Sequence, residues 1–238
     1  MKRERLRWYF SFRSPYSYFA FLDLVEKYPR VADALEWIPY WEPDEWTTRL
    51  LAESGATFTY TPMSRDKHFY ILQDVRRIGR QRGLTLTWPV DARPCWEVAH
   101  LAYLAAEEQG LGRLFAAQVY QARWRDGRDI HDPATIRDIG VRIGADVGAL
   151  VDAVHDVTLR RRGAEALARG SRDGVFGVPL FVQGREKYWG VERLAAFVDA
   201  CDAGTAGGAD AAPDGAAVPT GTAPYVLAGD GGHAGGCG

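Results

Sequence analysis

The sequence predicts an α/β fold in which a mixed sheet, flanked by helices, is assembled from the two ends of the chain and interrupted by a helical insertion. Three observations predict it. Residues 6–42 read as strand, helix, strand; the stretch 43–172 carries a helical period; and a two-residue period returns over 173–202. With 238 residues and 47% hydrophobic content, the chain can bury a sizeable core.

Each element has a local reason. The run Leu6-Arg7-Trp8-Tyr9-Phe10-Ser11-Phe12 is aromatic-rich and reads as the opening strand. Ser14-Pro15-Tyr16-Ser17 then starts a helix from Tyr16 to Tyr28, because a serine hydroxyl caps free N–H groups and proline suits the first turn. Such a terminus carries partial positive charge and unpaired donors, so it favours an anion or a thiolate beside it. Leu35-Glu36-Trp37-Ile38-Pro39 completes a βαβ unit, which implies a parallel pair joined by a right-handed crossover.

Helices are expected over Met63 to Gly83, Glu97 to Gln109, Leu114 to Trp124 and Pro133 to Ile143, followed by one helix over Val147 to Ala168. In the first, Phe69, Tyr70, Leu72, Val75 and Ile78 recur near the helical period and Gly83 stops it. The triplet Arg160-Arg161-Arg162 reads as a solvated helix face. Gly177-Val178-Pro179 puts a proline just ahead of the strand Leu180-Phe181-Val182. A turn at Gln183-Gly184-Arg185 returns the chain through Glu186-Lys187-Tyr188-Trp189 as a hairpin, and Leu194 to Cys201 forms the closing helix.

The expected organisation is a discontinuous α/β domain (1–42 and 173–202), a helical insertion domain (43–172) and a tail (203–238). Gly and Ala make up more than half of that tail, which has no Lys or Arg and ends close to Cys237; it reads as disordered. The formal net charge of −2 gives no reason to expect nucleic acid as a partner. No apolar stretch follows Lys2-Arg3-Glu4-Arg5 to make a signal peptide, and no run of about 18 apolar residues predicts a membrane span, so a cytoplasmic protein is the default. Cys95, Cys201 and Cys237 and the five histidines match no metal-ligand spacing, so no metal is expected.

The Ser-Pro-Tyr-Ser start and the Gly174-Val175-Phe176-Gly177-Val178-Pro179 stretch together resemble the thioredoxin-like superfamily in its DsbA-like form, where a nucleophile motif at the first helix faces a cis-proline loop. Ser14 and Ser17 stand at the Cys-x-x-Cys positions, which removes dithiol–disulfide chemistry. Within that superfamily the chain is most similar to the 2-hydroxychromene-2-carboxylate isomerases and kappa-class glutathione transferases. Lys67, Tyr70, Asp74 and Arg77 resemble the family's Lys-x-x-Tyr-x-x-x-Asp-x-x-Arg helix. Trp124 with Gly127-Arg128-Asp129-Ile130, and Trp189-Gly190-Val191-Glu192-Arg193, resemble two further family segments.

The resemblance implies a thioredoxin-like fold with an inserted all-helical domain. It implies glutathione or another low-molecular-weight thiol as cofactor and a small aromatic substrate, and it leaves a homodimer open. Ser14 becomes the catalytic residue that donates a hydrogen bond to the cofactor sulfur. Val178 would pair its backbone with the cysteinyl part of the thiol, and Pro179, if cis, would shape that loop. Glu192 would meet the γ-glutamyl amine and Lys67 a carboxylate. Tyr16, Ser17 and Trp124 are candidates for the substrate pocket, with plain helical and core readings left open for the last two.

Where the family has asparagines, the chain has Ser54-Gly55-Ala56-Thr57-Phe58 and the loop around Ala92-Arg93-Pro94-Cys95; Glu192 stands for an aspartate. These departures fall on the pocket and not on the scaffold. Cys95 is a candidate substitute nucleophile beside its bland reading as a small buried hydrophobe. The aromatic residues Trp8, Tyr9, Tyr16, Trp41, Trp88, Trp96 and Trp124 could line an apolar slot for a planar substrate. The activity implied is thiol-dependent isomerisation of an aromatic or enone-type carboxylic acid. A conjugating transferase, a natural-product tailoring enzyme and a non-catalytic DsbA-like binding scaffold are the alternatives.

Overall fold

The computed structural model describes residues 5–58, 63–92 and 94–206. Its sheet has the order β2-β1-β3-β4, built from β1 (Leu6–Phe10), β2 (Glu36–Pro39), β3 (Leu180–Gln183) and β4 (Glu186–Trp189). β1 runs parallel to β2, with Trp8 opposite Trp37, and antiparallel to β3, with Trp8 opposite Phe181. The first strand therefore ends at Phe10, two residues short of the sequence reading. Ser11 and Phe12 belong instead to the turn that enters α1 (Pro15–Glu26).

Between β2 and β3 the chain is helical: α2 (Pro29–Ala34) precedes β2, and then come α3 (Glu45–Glu53), α4 (Arg65–Gln81), α5 (Trp96–Glu108), α6 (Gly112–Trp124), α7 (Pro133–Ile143), α8 (Val147–Asp152) and α9 (Val157–Asp173). The single helix expected over 147–168 is two. Asp156 turns extended and accepts the Leu159 N–H at 2.8 Å, capping a new helix and ending the old one. α9 then runs to Asp173, where Gly174 adopts φ 65° as its left-handed terminator. Arg160 is not on a solvated face: it is buried, and its guanidinium bonds Asp44 at 2.6 Å and the Thr47 hydroxyl at 2.9 Å, tying α9 to α3.

After β4, a 3-10 turn at Val191–Arg193 leads into α10 (Leu194–Ala206), which passes the expected end at Cys201. The tail from 207 on, with Cys237, lies outside the described residues. The core is continuous from sheet to insertion. Trp8 packs at 4.9 Å on Phe10 and edge-on at 4.7 Å to Trp37, and Phe12 meets Tyr103 and Phe115 of α5 and α6.

Candidate active site

The turn between β1 and α1 is fixed from several sides. His100, fully buried on α5, stacks on Trp41; its Nδ1 lies 2.7 Å from the Trp96 carbonyl and its Nε2 3.1 Å from the Phe12 amide nitrogen. A carbonyl only accepts and an amide N–H only donates, so the imidazole is neutral with its proton on Nδ1. Burial holds it neutral, pushing its pKa down to about 3. The Trp124 indole N–H donates to the Phe12 carbonyl at 3.1 Å, and the Tyr120 hydroxyl lies 3.3 Å from the Ser11 carbonyl. Ser17 accepts the Ser11 N–H on its hydroxyl at 3.3 Å. The backbone that presents Ser14 is thus held by four side chains, three of them from the helical insertion.

Ser14 itself is fully buried. Its hydroxyl accepts the Ser17 N–H at 3.2 Å, as an N-cap should, and lies 3.4 Å from the Val178 carbonyl, to which it donates. The Val178–Pro179 peptide is cis. The Pro179 carbonyl accepts the Gly190 N–H at 2.9 Å, which joins this loop to the end of β4. So the two hallmark segments, far apart in sequence, meet through one hydrogen bond.

Beside that meeting point opens a cavity of about 530 Å³, within the range of small-molecule sites. Tyr16 and the Val178–Pro179 pair form one side; Lys67, Tyr70 and Asp74 come from α4. Lys187, Trp189, Glu192 and Arg193 close it beyond β4. The lining thus mixes aromatic faces with cations and carboxylates. The Tyr16 hydroxyl donates to Asp74 at 2.8 Å, and Arg77 grips the other oxygen of the same carboxylate at 2.8 Å. Of the helix motif read from sequence, Asp74 thus links Arg77 to Tyr16 beside the Ser14 turn, and Lys67 and Tyr70 line the same cavity.

The structure brings Tyr16, Lys67, Val178, Pro179 and Glu192 to this one cavity. Ser14 stands one hydrogen bond behind its rim. Two candidates fall elsewhere. Ser17 is interior, its hydroxyl taken by the Ser11 backbone. Trp124 is buried, with its N–H committed to Phe12; its ring borders a smaller neighbouring recess and not the main cavity. The aromatic slot needs the same correction: Trp8, Tyr9 and Trp41 are core residues with no face on the cavity, because the sheet and α5 consume them. Cys95 is no better placed for chemistry. Burial and the neighbouring Glu97 carboxylate push its thiol pKa up, away from the thiolate.

Two contributors escaped the sequence. His100 looks like any isolated histidine until the fold brings it to Phe12. Tyr188 walls the cavity, yet nothing in its spacing separates it from an ordinary hairpin residue; Arg193, at the end of the segment 189–193 that the sequence singled out, walls it too. Among the described residues no three His, Cys, Asp or Glu side chains gather as a metal site, and no helix is long and apolar enough to cross a membrane.

The geometry agrees with what comparison finds. A curated relative, 2-hydroxychromene-2-carboxylate isomerase of Sphingobium xenophagum, is 27% identical over 195 residues, which is 80% of this chain and 94% of that protein. A solved structure of 2-hydroxychromene-2-carboxylate isomerase superposes with a TM-score of 0.66 at 22% identity, covering 84% of this chain and 97% of that one. The cytosolic disulfide reductase DsbM from Pseudomonas aeruginosa, solved with GSH, shares the fold at 19% identity and a TM-score of 0.54, covering 82% and 98%. The DsbA-like thioredoxin domain matches residues 5–202, the whole of the sheet and its helical insertion, and the chain belongs to that family.

Proposed function

We propose that the protein is a thiol-dependent isomerase acting on an aromatic or enone-type carboxylic acid, with glutathione or another low-molecular-weight thiol as cofactor. The observation that carries this reading is the Ser14 hydroxyl at the α1 N-terminus, 3.4 Å from the cis Val178–Pro179 loop at the rim of the 530 Å³ cavity. The curated relative's name supports the reaction class.

The lining suits a thiol tripeptide. Lys67 and Arg193 offer cations to carboxylates, Glu192 offers a carboxylate to an amine, and Val178 brings its backbone to the cavity ahead of β3 as a pairing site. A bound thiol supplies a nucleophile that adds reversibly to the activated double bond, so that rotation occurs about a single bond before the thiol leaves unchanged. The chain's part is electrostatic. Ser14 turns its hydroxyl hydrogen from the Val178 carbonyl to the sulfur. With the positive end of the α1 dipole it stabilises negative charge there and lowers the thiol pKa. Tyr16, whose hydroxyl hydrogen is given to Asp74, turns its ring and the hydroxyl oxygen's lone pairs to the cavity. Ser14 and Ser17 carry no sulfur, so this motif has no dithiol to exchange.

Isothermal titration with glutathione, followed by a spectroscopic isomerisation assay on the chromene carboxylate with and without thiol, tests the reading. Binding together with thiol-dependent turnover supports it. No heat with any small thiol, or turnover indifferent to thiol, overturns it.

A further inference from the structure

A second recess, about 100 Å³, shares Tyr16 and Ile71 with the main cavity, so the two adjoin across those side chains. Its polar lining comes from Arg13, His68, Asp91 and Arg123, and Trp88 and Trp124 supply its flat walls. None of these residues entered the argument for the thiol.

The hydrogen-bond ledger of the recess is lopsided. Arg123 is almost wholly buried, its side chain 3% exposed, between the rings of Trp96 and Trp124 at 5.1 and 5.0 Å. Its two terminal nitrogens both bond Asp91 at 2.8 Å, which uses both oxygens of that carboxylate, and its Nε–H is buried with no acceptor. Arg13 lies over the same Trp96 ring at 5.1 Å and gives one nitrogen to Glu42 at 3.2 Å. A guanidinium has five donors, so most of Arg13's remain for a ligand. Asp91 is the only carboxylate among the lining residues, and it is already engaged by a fork. The recess therefore lacks acceptors, not donors.

We propose that this recess is the carboxylate subsite of the substrate, with Arg13 as the anchor that selects an acid over its neutral analogue. The proposal rests on the isomerase reading only for the unsaturated body of the ligand. A carboxylate suits a guanidinium, because its two oxygens match the planar fork, and it is small enough for a recess of about 100 Å³. The recess admits a carboxylate group but not an aromatic ring system behind it, so the rest of the acid must pass Tyr16 into the main cavity. That orientation puts the double bond next to the carboxylate on the Ser14 side. Arg123 stays with Asp91 and stiffens the wall on which Arg13 lies.

The walls contain tryptophans, so intrinsic fluorescence reports binding. The full chain is titrated in thiol-free buffer with cinnamate and with cinnamamide, the same body without the charge. Cinnamate is expected to bind at least tenfold more tightly, with an affinity that falls as salt is raised. Arg13→Met should bring the two ligands within twofold of each other, and Arg13→Lys should retain part of the preference. Glu42→Gln, which removes the negative charge that Arg13 now faces, should tighten cinnamate and leave cinnamamide unchanged; it decides the matter if Arg13→Met does not fold. Equal affinities in the wild type, no cinnamate binding, or a preference that survives Arg13→Met would each overturn the proposal. Because no thiol is present, these outcomes are separate from the thiol titration. A protein that binds cinnamate through Arg13 but no thiol would lose the isomerase reading and keep this subsite.

Discussion

The two structures that face each other across the cavity are built in opposite ways. The turn Ser11–Ser17 is buried apart from Arg13 and Tyr16, and His100, Trp124, Tyr120 and Ser17 each hold its backbone. The opposing helix α4 has seventeen residues, of which only Ile71, Val75 and Gly79 are buried. Its ties to α1 are polar: Tyr16 donates to Asp74 at 2.8 Å, and just past the end of α4 Arg82 gives both nitrogens to Asp23, at 3.0 and 2.8 Å. Phe69 and Tyr70 on α4 stay about half exposed. The difference teaches where each task sits. The proposed sulfur-facing hydroxyl is set by packing, and the side chains proposed to meet the ends of a ligand ride on a helix held mainly by polar contacts.

The largest effect should come from breaking the preset side. His100→Leu leaves the Phe12 N–H buried without a partner, while the Trp96 carbonyl keeps its helical bond, so urea denaturation should show a loss of about 1–3 kcal/mol. A smaller loss would mean the turn is held by its other bonds. His100 also gives the wild type a pH signature. Its folded pKa of about 3 lies below the ordinary histidine value, so in the window between them the unfolded chain binds a proton that the folded one refuses. This contribution to stability is complete above about pH 6.5 and falls with decreasing pH, by up to about 1.4 kcal/mol per unit. His100→Leu should remove that component of the slope. A slope unchanged by the substitution would assign it to other groups.

Next in size is Ser14→Ala. Loss of the cap should cost about 1 kcal/mol of stability. If the hydroxyl stabilises a thiolate, thiol-dependent turnover should fall about 100-fold, the usual consequence of deleting one donor aimed at developing charge. Lost stability with unchanged turnover would leave Ser14 as a cap alone.

What was legible in the sequence follows the same division. The β1–α1 turn and the Val178–Pro179 loop announce themselves because their signals are local: a cap, a proline, a strand on either side. The helix Arg65–Gln81 is legible from its period, and Lys67, Tyr70 and Asp74 reach the cavity because that period puts them on one face. The break at Asp156 was hidden, since the apolar period runs through it and only a cap geometry marks the new start. His100 and Arg160 were hidden for another reason. Each acts on a partner brought near only by the fold, Phe12 for one and Asp44 for the other. For Ser17 and Trp124 helical and core readings stayed open beside a pocket role, because sequence position beside a site does not say which way a side chain faces.

The smallest effects should lie on α4, and they test the comparison most sharply. Asp74 joins Tyr16 to Arg77, but the Arg77 side chain is 53% exposed and its bond to Asp74 is an i,i+3 pair on the helix surface. Such pairs contribute about 0–1 kcal/mol and weaken with salt. Arg77→Ala should therefore leave the melting temperature nearly unchanged and shift thiol affinity by no more than about fivefold, the factor that 1 kcal/mol corresponds to. Asp74→Asn keeps the shape and can still accept from Tyr16, but it gives up the charge that draws Arg77, so its effect on affinity should exceed that of Arg77→Ala and stay well below that of Ser14→Ala. If Arg77→Ala instead cost tenfold or more in thiol affinity with melting unaltered, the α4 face would be as firmly preset as the turn opposite it. The contrast between a fixed floor and a yielding wall would then fail at the one contact where it is easiest to measure.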